Sequence, residues 1–123
     1  MSASPAIVLL AHGARDPEWA RPMERLVEAV SRQLPDARVT SAFLEFMSPT
    51  LGDAIDAAVA AGSQRVRVVP VFLAAGGHVK RDVPAMIESA MLRHPGCTIE
   101  MAGVLGESEA VIAAMAAAAA AGL

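Results

Sequence analysis

Two histidines and one glutamate follow apolar segments of the chain, and their side chains could together bind a metal ion or accept protons. His12 directly follows one such segment, Glu45 follows a second, and His78 follows a third after two glycines. Imidazole and carboxylate form a ligand set suited to divalent iron, cobalt, nickel or zinc. The same groups accept protons near neutral pH. The three residues therefore predict a metal-binding or proton-transfer site if the fold brings them together.

The elements that must position these residues follow from the hydrophobic pattern. Apolar runs predict strands over 6–11, 37–44, 65–73 and 97–105. Each run is followed by a longer stretch with helical periodicity. This alternation predicts an α/β fold, an open parallel four-stranded sheet with helices on both faces. We expect the strand order 2-1-3-4.

Helix boundaries are predicted from capping residues and prolines. Asp16 is the expected N-cap of the first helix, and Ser48, which precedes Pro49, is the expected N-cap of the second. Pro84 must lie in the first turn of the third helix, since it would otherwise kink it. The last helix, 107–121, is mostly alanine, which favours helix. The first helix is predicted to bury one stripe, made of Trp19, Met23, Leu26, Val27, Val30 and Leu34.

The predicted sheet brings the three candidate residues to one edge. Ligands of open α/β sheets bind beyond the carboxyl ends of the strands. In the order 2-1-3-4, the strands that precede His12, Glu45 and His78 are neighbours, about 4.8 Å apart. All three side chains could therefore reach one point. His94 stands before Pro95 at a helix end, where the helix dipole accounts for it, and we leave it outside the site.

Length and composition exclude several classes of protein. With 123 residues and 54% hydrophobic residues, the chain is long enough for one ordered domain, 1–123. A net charge of −3 argues against a nucleic-acid binder, and a single cysteine excludes a disulfide framework. No apolar run is long enough for a transmembrane helix, and the N-terminus lacks the positive segment of a signal peptide. We expect a cytoplasmic protein with no membrane or nucleic-acid partner.

Three separated motifs resemble the CbiX/SirB family of class II chelatases. Their order and spacing over about residues 6–105 carry the resemblance. The family often has serine at the position of Ala14. The motifs are His12-Gly13-Ala14-Arg15, then Phe43-Leu44-Glu45 with Pro49, then Pro70-Val71-Phe72-Leu73 with Gly77-His78, Asp82 and Pro84.

The resemblance implies a flavodoxin-like, chelatase-type fold and an enzyme of the lyase class. It implies ATP-independent insertion of Co²⁺ or Fe²⁺ into sirohydrochlorin, a tetrapyrrole, in cobalamin or siroheme biosynthesis. Ni²⁺ also fits the ligand set, and no cofactor beyond the substrate metal is expected. By the same resemblance, His12 and His78 bind the metal and take pyrrole protons, and Glu45 assists. The short, single-domain type of this family implies a homodimer.

The implied substrate also suggests which residues would hold it. Sirohydrochlorin is a polycarboxylate, so cationic side chains should surround it, and arginine pairs well with carboxylates. Glycines let the backbone approach a ligand closely. The apolar side chains that could flank the macrocycle are Phe46, Met47 and Trp19, of which Trp19 and Met47 fit core packing equally well. The expected substrate-binding residues are Arg15, Phe46, Met47, Gly76, Gly77, Lys80 and Arg81.

Two other enzyme classes fit the sequence poorly, and one binding function stays open. Histidine phosphatases carry Arg-His-Gly after their first strand, but Ala11 stands in place of the arginine. A dinucleotide-binding site is not expected, because no G-x-G-x-x-G follows the first strand. A metal or tetrapyrrole carrier would use the same pocket without turnover. Metallation of sirohydrochlorin above the spontaneous rate separates a chelatase from a carrier.

Overall fold

A four-stranded parallel sheet forms the centre of the computed structural model, which describes residues 4–123 apart from the side chain of His78. The strands lie in the order β2-β1-β3-β4, and each pairing between neighbours is parallel. The predicted class and strand order are therefore confirmed. The strands are β1 (Ala6–Ala11), β2 (Arg38–Phe43), β3 (Arg65–Pro70) and β4 (Thr98–Met101).

In the described part of the chain, three helices connect these strands and pack against the sheet, and a fourth follows the last strand. A 3₁₀ turn (Pro17–Trp19) precedes α1, and a second 3₁₀ turn (Leu105–Glu107) follows β4. The α-helices are α1 (Ala20–Gln33), α2 (Leu51–Ala60), α3 (Gly77–Arg93) and α4 (Glu109–Ala120).

The central strand β1 is covered on both faces. On one face, Val8 and Leu10 are fully buried in a cluster with Ile55 of α2 and Val83 of α3. On the other face, Leu9 packs with Met23 of α1. A strand buried on both sides needs a continuous apolar run, which explains why the pattern predicted β1 at its observed bounds.

The α1 side of the sheet becomes charged over β3 and β4. Arg65 and Arg67 both bind the carboxylate of Glu100, at 3.0 and 3.1 Å, and all three side chains are exposed. The hydrogen bond from Arg65, with a second from Arg67, lowers the pKa of Glu100 below its ordinary value. A charged ladder offers no apolar surface to a helix, and no residue of α4 is buried.

The start of the first helix differs from the prediction. Asp16 is a cap, but it accepts the N–H of Glu18 at 3.0 Å and caps the first 3₁₀ turn rather than α1. A 3₁₀ turn has three residues per turn, so its side chains do not continue the stripe of an α-helix. Trp19 is consequently 65% exposed, and its predicted place in the buried stripe is wrong, as is that of Leu34 at the other end.

The second helix begins two residues later than predicted. Thr50 is the N-cap, and its hydroxyl accepts the N–H of Asp53 at 3.2 Å. Ser48 is not the cap, because the segment that follows it runs beside β2. The carbonyl of Pro49 there accepts the N–H of Phe43 at 2.9 Å.

The third helix begins before the predicted boundary. Gly76 is its N-cap, and the N–H of Lys80 donates to the Gly76 carbonyl at 3.0 Å. Pro84 is therefore the eighth residue of α3, and its predicted place in the first turn is wrong. The helix continues through Pro84 because residues on both sides share one buried stripe while the proline is exposed. The buried residues are Val79, Val83, Ile87 and Ala90, whereas Met86 and Met91 are exposed.

Strands β3 and β4 are shorter than predicted. β3 ends at Pro70. The ring nitrogen of Pro70 faces β4 beyond the last paired residue of that strand, Met101, so no hydrogen bond of the β3–β4 ladder is lost. β4 ends at Met101, and the chain then enters the second 3₁₀ turn. α4 starts at Glu109 rather than at residue 107.

Candidate active site

The imidazole of His12 lies at the carboxyl end of β1 and is supported from the core. His12 is exposed, and its ring contacts that of Phe72, with 4.4 Å between ring centroids and 32° between ring planes. Phe72 is only 7% exposed and belongs to the main core. A solvent-accessible imidazole is thus held against a rigid support.

Backbone hydrogen bonds join the loops after β1 and β2. The N–H of Leu44 donates to the Ala11 carbonyl, and the N–H of Glu45 donates to the His12 carbonyl, both at 3.0 Å. Gly13 has a φ of +92°, and a Cβ there would collide with the carbonyl oxygen of Glu45. The close approach of the two loops therefore requires glycine.

This junction places the backbone of Glu45 next to the backbone of His12. Glu45 is exposed, and its carboxylate has no hydrogen bond or ion pair with any residue of the described part of the chain. A carboxylate without a protein partner is available to a metal ion or a proton. The two predicted residues of β1 and β2 are thus neighbours at the carboxyl edge.

Arg15 and Phe46 form a cation–π pair at the same edge. The guanidinium carbon of Arg15 lies 4.7 Å from the centroid of the Phe46 ring, and both residues are exposed. Phe46 has a φ of +66°, a backbone conformation that costs a bulky residue about 1–3 kcal/mol. Arg15 has no carboxylate partner among the described side chains of residues 4–123, so its guanidinium is available to an anionic ligand.

A cavity of about 460 Å³ opens beside His12 on the α1 side of the sheet. Its wall is mainly apolar, and the exposed indole of Trp19 forms part of it. Binding sites for small molecules are usually of this kind, an apolar cavity with a few polar groups. The lining residues are Ala11, His12, Gly13, Ala14, Trp19, Pro22, Met23, Phe43 and Val71. Another cavity, of about 270 Å³ at the opposite edge, is lined by Arg67 and Leu34 and contains no imidazole.

The remaining predicted residues lie around this edge in different settings. Met47 is half-buried and packs against the α1-side core, so it contributes to packing. Gly76 and Gly77 are exposed at the start of α3, where Lys80 and Arg81 are exposed as well. Lys80 lines a separate cavity of about 270 Å³ between α3 and the end of β4, not the cavity at His12.

The prediction of a metal site rests partly on a side chain that is not described. His78 lies in the first turn of α3, but its side chain is outside the described part of the structure. Among the described residues, no group of three His, Cys, Asp or Glu side chains could hold a metal ion. Metal binding by His12 and His78 stays a prediction. No helix formed by the described residues is long and apolar enough to cross a bilayer.

His94 has a structural role away from this edge. Its Nε2 lies 2.6 Å from a carboxylate oxygen of Asp56, which also binds Arg93 at 3.1 Å. The hydrogen bond from His94 is the main cause that lowers the pKa of Asp56. The exclusion of His94 from the site agrees with this contact, although the partner is a carboxylate rather than the helix dipole.

Sequence reasoning missed Phe72 as a residue of the site, and it left Trp19 open between flanking the macrocycle and packing in the core. The apolar pattern assigns Phe72 only to a strand, and it assigns Trp19 to a buried stripe. The signal for Phe72 is its position two residues after Pro70, where the strand ends and the chain reaches the carboxyl edge. No sequence signal separates the 3₁₀ turn at Trp19 from the start of a regular helix, because Pro17 suits the first turn of either.

Comparisons with known proteins show the family to which the chain belongs. The sequence profile of the CbiX family matches residues 6–121. The chain belongs to the CbiX family. The resemblance inferred from the His12, Glu45 and His78 motifs is thereby confirmed.

Relatives of the chain include archaeal proteins named sirohydrochlorin cobaltochelatase. The protein from Methanosarcina barkeri is 33% identical over 98 residues, which cover 79% of this chain and 73% of the relative. The protein from Methanopyrus kandleri is 39% identical over 82 residues, which cover 67% of this chain. The match spans only 57% of the Methanopyrus protein's length.

Solved structures share the fold of this CbiX-family chain. A CbiX protein from Marinobacter aquaeolei VT8 has a TM-score of 0.81 and 36% identity, and the match covers 94% of this chain and 93% of that one. The sirohydrochlorin chelatase SirB from Bacillus subtilis subspecies spizizenii, in complex with cobalt, has a TM-score of 0.79 and 28% identity. That match covers 90% of this chain but 47% of SirB, so the chain spans about half of SirB.

Proposed function

We propose that this chain inserts Co²⁺ or Fe²⁺ into sirohydrochlorin without ATP. The observation that carries the proposal is the exposed imidazole of His12, supported by Phe72 and joined through its backbone to the loop of Glu45. The enzyme class expected from the sequence, a metal chelatase, is the one named for the relatives. One solved SirB structure contains cobalt and another contains Fe³⁺, which supports cobalt or iron as the metal substrate.

The proposed reaction exchanges one metal ion for two protons. Two pyrrole N–H bonds break, the metal ion bonds to the four ring nitrogens, and the two protons lost balance the two positive charges of the metal, so the macrocycle gains no net charge. His12 and His78 would deliver the metal ion and accept the two protons, and Glu45 would assist by taking on the proton that His12 has accepted. A positioned proton acceptor is worth about 10²–10⁴-fold in rate.

Substrate binding in this proposal uses the cavity and the cationic edge. The flat macrocycle would lie over the apolar wall beside His12, and Arg15, Lys80 and Arg81 would meet its carboxylates. The cation–π contact with Phe46 limits the motion of the Arg15 guanidinium before the substrate arrives. Gly76 and Gly77 would allow close approach at the start of α3.

The experiment is a metallation assay in nucleotide-free buffer. Wild-type protein should accelerate Co²⁺ insertion into sirohydrochlorin above the spontaneous rate, as followed by absorbance. Glu45→Gln keeps the shape but removes a proton acceptor, so turnover should fall about 10²-fold, while Co²⁺ binding persists. Glu88→Gln, an exposed glutamate of α3, is the matched control. Binding of metal and tetrapyrrole without acceleration would favour the carrier function instead.

Metal binding is tested separately by titration with Co²⁺. The double change His12→Ala, His78→Ala should abolish the binding seen for wild type. Unchanged binding in that variant would contradict the assignment of the two histidines as ligands.

We further propose that the chain acts as a cytoplasmic homodimer built from single domains. The cavity at His12 is open and the site residues His12, Glu45, Arg15 and Phe46 are exposed, whereas good pockets bury most of a ligand. A second copy facing this edge would enclose the macrocycle. Sedimentation at micromolar concentration should give a dimer, and a strict monomer in the presence of substrate would contradict this proposal.

A further inference from the structure

The support beneath His12 is itself held by a distant part of the chain. Beyond β3, the N–H of Val71 donates to the Leu10 carbonyl at 2.8 Å on one side. On the other side, the N–H of Gly106 donates to the Phe72 carbonyl, also at 2.8 Å. The short segment that carries Phe72 is therefore fixed between β1 and the second 3₁₀ turn.

Gly106 allows this contact because it has no side chain. A Cβ at this position would overlap the carbonyl oxygen and the Cα of Leu73, far inside van der Waals contact. The overlap involves backbone atoms, so no rotation of the Leu73 side chain can relieve it. The φ of Gly106 lies outside the left-handed region, so the requirement for glycine here comes from space and not from backbone conformation.

We propose that Gly106 and Phe72 are positioning residues for His12. The close approach at Gly106 fixes the position of the segment that carries Phe72, and the Phe72 ring fixes the orientation of the His12 imidazole plane. A side chain at position 106 would push Leu73 and Phe72 away from the second 3₁₀ turn and change the orientation of His12. The kinetic consequence rests on the proposed chelatase function, but the structural relation between the three residues does not.

The kinetic test compares two glycines of the same connection between β4 and α4. Gly106→Ala introduces the overlap, whereas Gly103→Ala places its Cβ in open space. Because misplacement of a reacting group by about 1 Å costs up to about 10²-fold, kcat for Co²⁺ insertion should fall about 10- to 100-fold in Gly106→Ala. KM for sirohydrochlorin should stay within about twofold, since substrate contacts are unchanged. Gly103→Ala should keep the wild-type kcat, and equal kcat in both variants would overturn the proposal.

A nuclear magnetic resonance measurement makes the test independent of activity. Protons above an aromatic ring are shifted upfield, so the ring protons of His12 should be upfield in wild type and lose that shift in Phe72→Leu. His12→Gln identifies the resonances. Gly106→Ala should move them toward their positions in Phe72→Leu, and Gly103→Ala should not. A wild-type protein without metallation activity would refute the proposed function, while these shifts would still decide the positioning proposal.

Circular dichroism checks that each variant is folded. If Gly106→Ala does not fold, Phe72→Leu decides, because it removes the ring but keeps an apolar side chain in the core. A folded Phe72→Leu with unchanged kcat would overturn the positioning role. A loss of kcat with unchanged KM supports it.

Discussion

Replacing Gly13 by alanine tests whether the junction between the His12 and Glu45 loops is required for both stability and activity. The added Cβ meets two separate obstacles. The φ of +92° is unfavourable for any residue with a side chain, and the Cβ collides with the carbonyl oxygen of Glu45. Gly62 has a similar φ of +101°, but a Cβ at that position would meet no atom within 4 Å. Gly62→Ala therefore measures the conformational cost alone.

The two obstacles give different free energies. The positive φ costs alanine about 1–2 kcal/mol. The collision forces a backbone shift comparable to overpacking, which costs about 1–3 kcal/mol. Gly13→Ala should thus lose about 2–5 kcal/mol of unfolding free energy and Gly62→Ala about 1–2 kcal/mol. At about 4 °C per kcal/mol for a domain of this size, Tm should fall by about 8–20 °C and 4–8 °C, respectively.

The assay is thermal unfolding of both variants, followed by Co²⁺ insertion at a temperature where both are folded. Gly13→Ala should also lose turnover, because the loop of Glu45 must move away from His12, whereas Gly62→Ala should retain it. The reasoning is refuted if the two variants melt at the same temperature and both keep full turnover.

Three further predictions use other parts of the molecule. Asp56→Asn removes the partner of His94. Because the folded pKa of Asp56 lies below its ordinary value of 3.8, the carboxylate stabilises the fold above that pH and stops doing so as pH falls through the lowered pKa. The half-exposed pair is worth about 0.5–1 kcal/mol, so Tm of the variant should lie below that of wild type at pH 6, and the difference should shrink as pH falls through the lowered pKa of Asp56. Trp19→Ala should leave unfolding free energy within about 0.5 kcal/mol but raise KM for sirohydrochlorin, whereas the exposed control Leu92→Ala should change neither. Ile55→Ala removes a fully buried side chain and should cost about 2–5 kcal/mol in a urea titration.

The pattern of apolar residues determined the sheet because burial on both faces leaves a local signal. β1 is apolar at every position, and its observed bounds are those predicted. β2 alternates and carries Arg38, as suits the edge strand that it is. Parallel strands must end at one edge, so the placement of His12 and Glu45 there also followed from the sequence. The family could be recognised from the same motifs.

The first residues of the helices were harder to predict from the sequence, because they depend on contacts with other segments. Ser48 and Thr50 are both good caps by type, and the hydrogen bond between Phe43 and Pro49 decides between them. Pro84 looks like a helix boundary in isolation, yet the buried stripe of α3 continues past it. Trp19 fits an apolar stripe by spacing, but a 3₁₀ turn places it in solvent beside the cavity.

Only the tertiary structure decided how His12 is held. The ring of Phe72 lies beneath an imidazole 60 positions earlier in the chain, and Gly106 fixes Phe72 from a third segment. No local periodicity encodes such contacts, because each residue is compatible with its own element whether or not the others are present. Gly13 and Gly106 likewise depend on contacts between distant segments. Their lack of a side chain matters through carbonyl groups that come close only after the sheet has formed.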